Sequence, residues 1–364
     1  MKRILITAAL ATGTLALSAC ELAPKTSIQN GYRGTGMNTI KVAATAAAEE
    51  VPDPPYAPPG TEGERAGAVY QNLQVLGDVS VDQFNYTMAA LTEWVSPAEG
   101  CNYCHNPANM ASDEVYTKVV ARRMIQMNQA LNANWSDHVG NTGVTCWTCH
   151  RGEPVPEESW TMPVAKRGGI VGNRRGQNEP VSNAAYSSLP TTAVARYLLG
   201  GSTPNEDIRV VSKTSRPTPY HTVGTMETEE NYGLMMHISQ ALGVNCTYCH
   251  NSQSFQTWAS SNPPRATAWY GVRMVRDINS QYITPLASVF PANRKGEMGD
   301  PYKVNCTTCH RGQNKPLGGY PMVKDYPVLR SGGANVAPAP AATPPAEGLP
   351  IASARPPSRK VAVR

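Results

Sequence analysis

The sequence contains little charge and no second long hydrophobic run. Charged residues make up only 16% of the 364 positions, whereas 31 prolines and 30 glycines are present. That balance predicts a mainly α fold with extensive irregular loops and few strands. Beyond the N-terminal apolar stretch, no segment has the length and apolar composition of a membrane-spanning helix.

The sequence also has no cysteine to spare. Its nine cysteines are Cys20 and eight residues in four C-x-x-C-H motifs, so no thiol remains for a structural disulfide. The motif cysteines are Cys101, Cys104, Cys146, Cys149, Cys246, Cys249, Cys306 and Cys309, and the motifs end in His105, His150, His250 and His310.

C-x-x-C-H is the attachment signature of c-type haem. The two thiols form thioethers with the porphyrin vinyl groups, and the adjacent imidazole supplies one axial iron ligand. Four copies disfavour the alternatives of half a zinc site, a redox dithiol or chance, because zinc ligands would have to pair between motifs and a dithiol needs no histidine. The sequence therefore predicts four c-type haems, which would themselves supply much of the core.

The N-terminus predicts export and a lipid anchor. Residues 1–19 begin with Lys2 and Arg3, continue as an apolar run from Ile4 to Leu17 and end before Cys20, as in a secretory signal peptide. The ending resembles the lipobox of bacterial lipoproteins, in which the cysteine is acylated. An uncleaved anchor helix is the alternative, but the run is short for a bilayer span. Either would hold the protein on a membrane surface.

The net charge of +5 gives no argument for nucleic acid as a partner. Four haems carry roughly eight propionate charges, enough to reverse the sign of the net charge unless they are paired.

The motifs alternate in a way that an internal duplication explains. The first motif of each half ends Tyr-Cys-His-Asn, and the second ends Thr-Cys-His-Arg-Gly. We therefore predict a first two-haem unit at 69–152 and a second at 221–328, preceded by a tether or strap at 20–68 and followed by a disordered Ala/Pro-rich tail at 329–364. Between the two units, residues 153–220 form a connecting segment packed over the surface, with one helix around Ala193 to Leu199.

Each motif follows a helical pattern that contains methionine. The apolar stripes are Phe84, Met88, Leu91 and Val95; Val120, Met124, Met127 and Leu131; Met235, Ile238 and Leu242; and Gly271, Val275, Ile278 and Tyr282, beside Met274. Met88 and Met235 stand 13 and 11 residues before their cysteines, in matching places of the two repeats. Each could be a sixth iron ligand, although methionine on an apolar helix face is more often core.

Three histidines lie outside the motifs: His138, His221 and His237. His138 is in a polar stretch where a surface role is the ordinary expectation. His237 shares a helix with Met235 and is its rival as a ligand.

The pattern as a whole resembles the tetrahaem cytochrome subunit of purple bacterial photosynthetic reaction centres. The resemblance covers residues 65–328 and rests on the lipoprotein start, the paired motifs, Asn231-Tyr-Gly-Leu-Met235-Met-His-Ile-Ser and Trp135-Ser-Asp-His138-Val-Gly140. It implies Met88, Met124 and Met235 as sixth ligands of the first three haems. It also implies a bis-histidine fourth haem, with His310 from its own motif and His138 from the other half.

The resemblance also implies a function and partners. The four haems would form a nearly linear wire, with the third haem nearest the bacteriochlorophyll special pair of the reaction centre core subunits. Soluble periplasmic cytochromes c or high-potential iron–sulfur proteins would deliver electrons. Met274, the repeat equivalent of Met124, is a competing ligand for the fourth haem, and the tail has no role in the resemblance.

We predict a lipid-anchored periplasmic electron carrier that re-reduces the photo-oxidised special pair, and not an enzyme. Four ligands from outside the motifs would leave no open iron position for substrate. Alternatives are a tetrahaem carrier serving a terminal reductase and a multihaem nitrite or hydroxylamine enzyme, which needs a five-coordinate haem.

Overall fold

The computed structural model describes residues 24–29, 38–43, 51–163, 176–179, 181–199, 208 and 224–330. The predicted signal peptide, Cys20, His221 and residues 331–364 lie outside them. Within the described part of the chain, the strands are β1 (Lys25–Gln29) and β2 (Asn38–Val42), which pair antiparallel as a hairpin. The helices are α1 (Ala66–Val69), α2 (Val81–Val95), α3 (Tyr116–Asn134), α4 (Ser136–Val139), α5 (Cys146–His150), α6 (Thr192–Leu198), α7 (Thr225–Leu242), α8 (Pro264–Asp277) and α9 (Cys306–His310).

The mainly helical class with long irregular connections is as predicted, and each apolar stripe lies on a helix. Local signals set several helix ends. Ser80 and Gln83 form a capping box at the start of α2, and Gly243 ends α7 in the left-handed conformation at φ 64°. The last predicted stripe continues past α8 into a π-helical turn, Ile278–Ile283.

Two buried clusters hold the described residues together. The first contains Leu131, Trp135, Val194, Leu234, Val272 and Val304, among others. The second contains Tyr86, Trp94, Ile125, Val323, Tyr326 and Leu329, among others. Each cluster joins residues from both halves of the chain, so among the described residues the two halves share their core.

The connecting segment is more than the surface connection that the sequence suggested. Its predicted helix is α6, where Ala193, Val194 and Leu198 are completely buried. Near the end of this helix, the Tyr197 carbonyl oxygen accepts a hydrogen bond from Arg276 Nε, and the Leu198 carbonyl oxygen accepts one from Asn279 Nδ2. Helix α6 of this segment therefore belongs to the first cluster, together with residues of the second half.

The end of the second half packs against the first. Tyr326 stacks on Tyr86 with ring centroids 5.0 Å apart and meets Trp94 edge-on at 4.5 Å. Leu329, which the sequence analysis placed at the start of the tail, is completely buried. Packed structure thus extends beyond the predicted boundary because Val328 and Leu329 complete the second cluster.

None of the helices in the described ranges combines the length and apolar composition needed to cross a bilayer.

Candidate haem-binding site

The predicted stripes line a cavity of about 1660 Å³. This volume exceeds the roughly 300–1,000 Å³ of a usual small-molecule pocket. The predicted site residues in its wall are Met88, Cys101, Cys104, His105, Met124, His138, Cys146, Cys149, His150, Cys306, Cys309 and His310. Cys246, Cys249, His250 and Met235 are not in this wall, although Tyr248 of the third motif is.

One face of α2 shows why the stripes are apolar. Phe84, Met88, Leu91 and Val95 line the cavity, whereas Tyr86, Ala90 and Trp94 are buried in the second cluster. An apolar wall around so large a space fits a flat apolar cofactor such as a porphyrin.

The motif backbones recur in matching form. The first and third motifs begin as 3₁₀ turns at Gly100–Tyr103 and Cys246–Tyr248, and the second and fourth form α5 and α9. After α5 the Gly152 amide donates to the Trp94 carbonyl oxygen at 2.8 Å. After α9 the Gly312 amide donates to the Ala241 carbonyl oxygen at the same distance.

Two asparagines fix the entry to the second motif of each half. The amide oxygen of Asn132 accepts from the Val144 backbone N–H at 2.7 Å, and its nitrogen donates to the Val144 carbonyl at 2.8 Å. Asn279 makes the same pair of bonds to Val304, at 3.0 and 2.9 Å. Sequence reasoning missed this pair because the two asparagines precede their motifs by different intervals, 14 and 27 residues.

Five histidines are oriented alike. The Nδ1 atom of each lies within hydrogen-bond distance of a backbone carbonyl oxygen, and since a carbonyl only accepts, Nδ1 carries the proton and Nε2 is free to bind a metal. The pairs are His105 with Met110 at 3.1 Å, His138 with Thr267 at 2.9 Å, His150 with Glu153 at 2.8 Å, His250 with Phe255 at 2.9 Å and His310 with Gln313 at 2.8 Å.

His138 and His310 come together from the two halves of the chain. Their ring centroids are 6.0 Å apart. An imidazole nitrogen binds a metal at about 2 Å and lies about 1 Å from its ring centroid, so two rings on opposite sides of one metal have centroids about 6 Å apart. The pair therefore has the spacing that a shared iron requires.

The helix facing His138 leaves room only for glycine. A Cβ atom on Gly271 would lie 2.5 Å from His138 Cε1 and 2.7 Å from Nδ1. Trp135, just before α4, donates from Nε1 to the Asp277 carboxylate at 3.3 Å and so anchors the segment to the second half. Met274 is also buried in the cavity wall.

Burial favours the neutral, metal-binding form of four of these imidazoles. Desolvation lowers the pKa of His138, His150 and His250. Desolvation, together with the neighbouring His138, lowers the pKa of His310 to about 4. Only a neutral imidazole nitrogen can bind a metal.

His237, the rival to Met235, is oriented toward another motif. It is completely buried, and its Nε2 accepts a hydrogen bond from the Cys306 backbone N–H at 3.3 Å. Met235 lies two residues before His237 on α7, on a different face of the helix, and packs against the first cluster.

Two cysteines differ from the sequence expectation. Cys149 and Cys309 form a disulfide with Cα atoms 4.7 Å apart, because α5 and α9 lie side by side. The expectation that no disulfide would form is corrected at this pair. A sulfur in a disulfide cannot also form a thioether, so haem attachment at these two residues requires the bond to be reduced. The other six motif cysteines are free thiols.

Arg311, directly after the fourth motif histidine, supplies a further test of fit. Within the described ranges its buried Nε and Nη2 atoms have no hydrogen-bond partner, while Nη1 lies 3.3 Å from the Glu157 carboxylate. Guanidinium stays protonated in proteins, and buried unpaired donors are costly. A carboxylate such as a haem propionate would satisfy them.

Comparisons with known proteins agree with this chemistry. The family described as "Photosynthetic reaction centre cytochrome C subunit" matches residues 21–330. A protein of Rubrivivax gelatinosus named "Photosynthetic reaction center cytochrome c subunit" is 48% identical over 337 residues, which are 91% of this chain and 88% of the relative. The protein of that name from Thermochromatium tepidum is 44% identical, with 90% and 81% covered. Cytochrome c-554 of Chloroflexus aurantiacus is 27% identical, with 70% and 73% covered.

Proposed function

The chain belongs to the family of photosynthetic reaction centre cytochrome c subunits, and on that premise we propose that it carries electrons to a reaction centre through four covalently bound c-type haems. The eight motif cysteines would hold the haems as thioethers, each formed by addition of a free thiol S–H across a porphyrin vinyl group, so Cys149 and Cys309 would serve only as free thiols. His105, His150, His250 and His310 would each bind one iron. The haems supply one-electron chemistry, and the protein supplies attachment, orientation and exclusion of water.

The observation that carries the proposal is the pairing of His138 with His310 at 6.0 Å. Two neutral imidazoles on one iron leave no position for substrate. We propose Met88, Met124 and Met235 as the corresponding ligands of the other three haems. Met88 and Met124 share the cavity wall with their motifs. With a histidine and a second protein ligand for every iron, the protein would leave no position for substrate, which favours a carrier over an enzyme.

We further propose that the electron acceptor is the photo-oxidised special pair and that the donors are soluble periplasmic cytochromes c or high-potential iron–sulfur proteins. Acylated Cys20 would anchor the protein at the periplasmic membrane face. The two matched motif pairs would constitute duplicated two-haem units.

A flash experiment tests this function. Membranes containing the protein and its reaction centre are excited with single-turnover flashes, and haem absorbance is followed in time. We expect oxidation of haem after each flash and re-reduction when a soluble donor is added. Haem that stays reduced after the flash would favour a carrier for a terminal reductase. A high-spin band or cyanide binding in the native protein would favour an enzyme.

Met235→His is expected to lower the potential of the third haem alone. Imidazole stabilises ferric iron relative to thioether, and a tenfold change in a one-electron equilibrium is about 59 mV. A redox titration should show one wave moved by at least this amount. Met236→His, one residue along the same helix, is the matched control. A shift in the control and none in Met235→His would assign the ligand to Met236.

Cys20→Ser is expected to leave four haems and their spectra unchanged while weakening membrane retention. An acyl chain contributes about 0.8 kcal/mol per buried CH₂ to membrane binding. Salt-washed membranes lacking the reaction centre core provide the measurement, because a partner complex would otherwise hold the protein. Retention equal to that of the unmodified chain would contradict lipid anchoring through this cysteine.

A further inference from the structure

A buried lysine shares the carbonyl oxygen that orients the first motif histidine. The Met110 carbonyl accepts from His105 Nδ1 at 3.1 Å and from Lys118 Nζ at 2.8 Å. Lys118 also donates to the Ser112 carbonyl at 2.8 Å. All of Met110, Lys118 and His105 lie in the cavity wall, and Lys118 is only 8% exposed. A fixed ammonium charge therefore lies one carbonyl away from a proposed iron ligand.

We propose that Lys118 is a residue that tunes the first haem, raising its reduction potential through the Met110 carbonyl and through its own charge. This inference rests on the proposed function and adds a determinant of the haem potentials to it. It concerns the first haem, because Arg265, the cation near the third motif, donates to the Thr257 and Gln256 carbonyls and not to the Phe255 carbonyl that orients His250.

The hydrogen bond and the charge act in the same direction. A carbonyl that already accepts from an ammonium is a weaker acceptor for His105 Nδ1–H, so the imidazole gives less electron density to iron. A cation in a low-dielectric wall also opposes the extra positive charge of the ferric state. Both effects favour the ferrous state and raise the potential.

In the ion pairs of the described residues around Lys118, one carboxylate is shared by two cations. The Asp113 carboxylate lies 3.5 Å from Lys118 and 2.8 Å from Arg122, and Asn72 donates to it at 2.9 Å. Hydrogen bonding to Arg122 lowers the pKa of Asp113 to about 2, so it stays ionised at neutral pH. One carboxylate faces two cations, and Arg122 is its closer partner.

The third motif gives a contrast within the same chain. His250 Nδ1 bonds the Phe255 carbonyl, five residues on, as His105 bonds Met110. Among the described residues neither a lysine nor an arginine donates to the Phe255 carbonyl. The cation near this motif is Arg265, which donates to the Thr257 and Gln256 carbonyls at 3.0 and 3.4 Å. Both motifs thus have a cation nearby, but only in the first does the cation share the carbonyl that orients the histidine.

The test is a redox titration of the haem-loaded protein and its variants. Lys118→Met and Lys118→Gln should each change the reduction equilibrium of one haem at least tenfold, lowering that wave by about 59 mV or more. The wave should be the one that Met88→His also moves. Lys118→Arg keeps a cation and hydrogen-bond donors, so the reduction equilibrium constant of that haem should stay within threefold of its value in the unmodified protein.

Lys303→Met is the matched control, because Lys303 is also buried but bonds Asp300 and the Pro301 carbonyl. It should leave the first wave in place. The inference is wrong if Lys118→Met or Lys118→Gln retains four haems and titrates like the unmodified protein. It is also wrong if all four waves shift equally. If Lys118→Met fails to retain haem, Lys118→Gln decides the result, and a loss of haem in both overturns a tuning role. Fewer than four haems in the unmodified protein would instead contradict the proposed function.

Discussion

Gly271→Ala is expected to remove His138 from the fourth haem and open a position on its iron. The added methyl group would lie 2.5 Å from His138 Cε1, closer than carbon atoms approach without a shift. Helix α8 has little freedom to move away, because Val272 and Val275 beside this position are buried in the first cluster. Overpacking of this kind costs about 1–3 kcal/mol, and the imidazole is the group that can leave.

Optical and ligand-binding measurements check this result. The variant should keep four haems, since Cys306 and Cys309 are untouched, but it should gain a high-spin band and bind cyanide at one haem. Gly60→Ala is the control, because a Cβ there meets nothing within 4 Å. A low-spin spectrum without cyanide binding in Gly271→Ala would show that His138 is not an iron ligand.

His138→Met is expected to raise the potential of the fourth haem, since thioether stabilises ferrous iron relative to imidazole. A change of at least tenfold in its reduction equilibrium corresponds to about 59 mV. The other three waves should not move. Near-infrared spectra of the oxidised protein should gain methionine–iron charge-transfer intensity, from three haems' worth to four.

Met274 is the competing ligand in this second experiment. A contrary result would be near-infrared charge-transfer intensity for four methionine-ligated haems already in the native protein, with no change in His138→Met. That result would assign the sixth ligand of the fourth haem to Met274. Met274→Leu then serves as the matched variant and is expected to leave the fourth wave in place. The opposite pattern, with Met274→Leu moving the wave, would contradict the cross-half pair.

The sequence was sufficient to predict the features that show as local repeats: the apolar stripes of the helices and the C-x-x-C-H motifs. Helices α2, α3, α7 and α8 follow from apolar spacing, and the motifs identify their own chemistry. The sequence could not tell whether a stripe faces protein or a cofactor. Phe84 and Leu91 line the cavity, while Trp94 on the same helix is buried in the core. All three are apolar side chains, so the sequence does not distinguish them.

Contacts between distant residues were beyond the reach of a single sequence. The approach of His138 to Gly271 joins positions 133 residues apart, and only the family resemblance pointed to the histidine. A single glycine within a helical stripe was the available local signal, since it permits close approach. The Lys118 bond to Met110 had no such signal, because a lysine on a helix is ordinarily solvated.

The packing of Tyr326 and Leu329 against the first half has a consequence for the timing of assembly. A chain emerges from its N-terminus onward, and domains tend to fold in that order. Here Tyr86, Trp94 and Ile125 share a cluster with Met322, Val323, Tyr326 and Leu329, which emerge after all four motifs. The core of the first half is therefore incomplete until the residues that follow the last motif have been synthesised. Under the proposed function, the motif cysteines would remain accessible for haem attachment until that point.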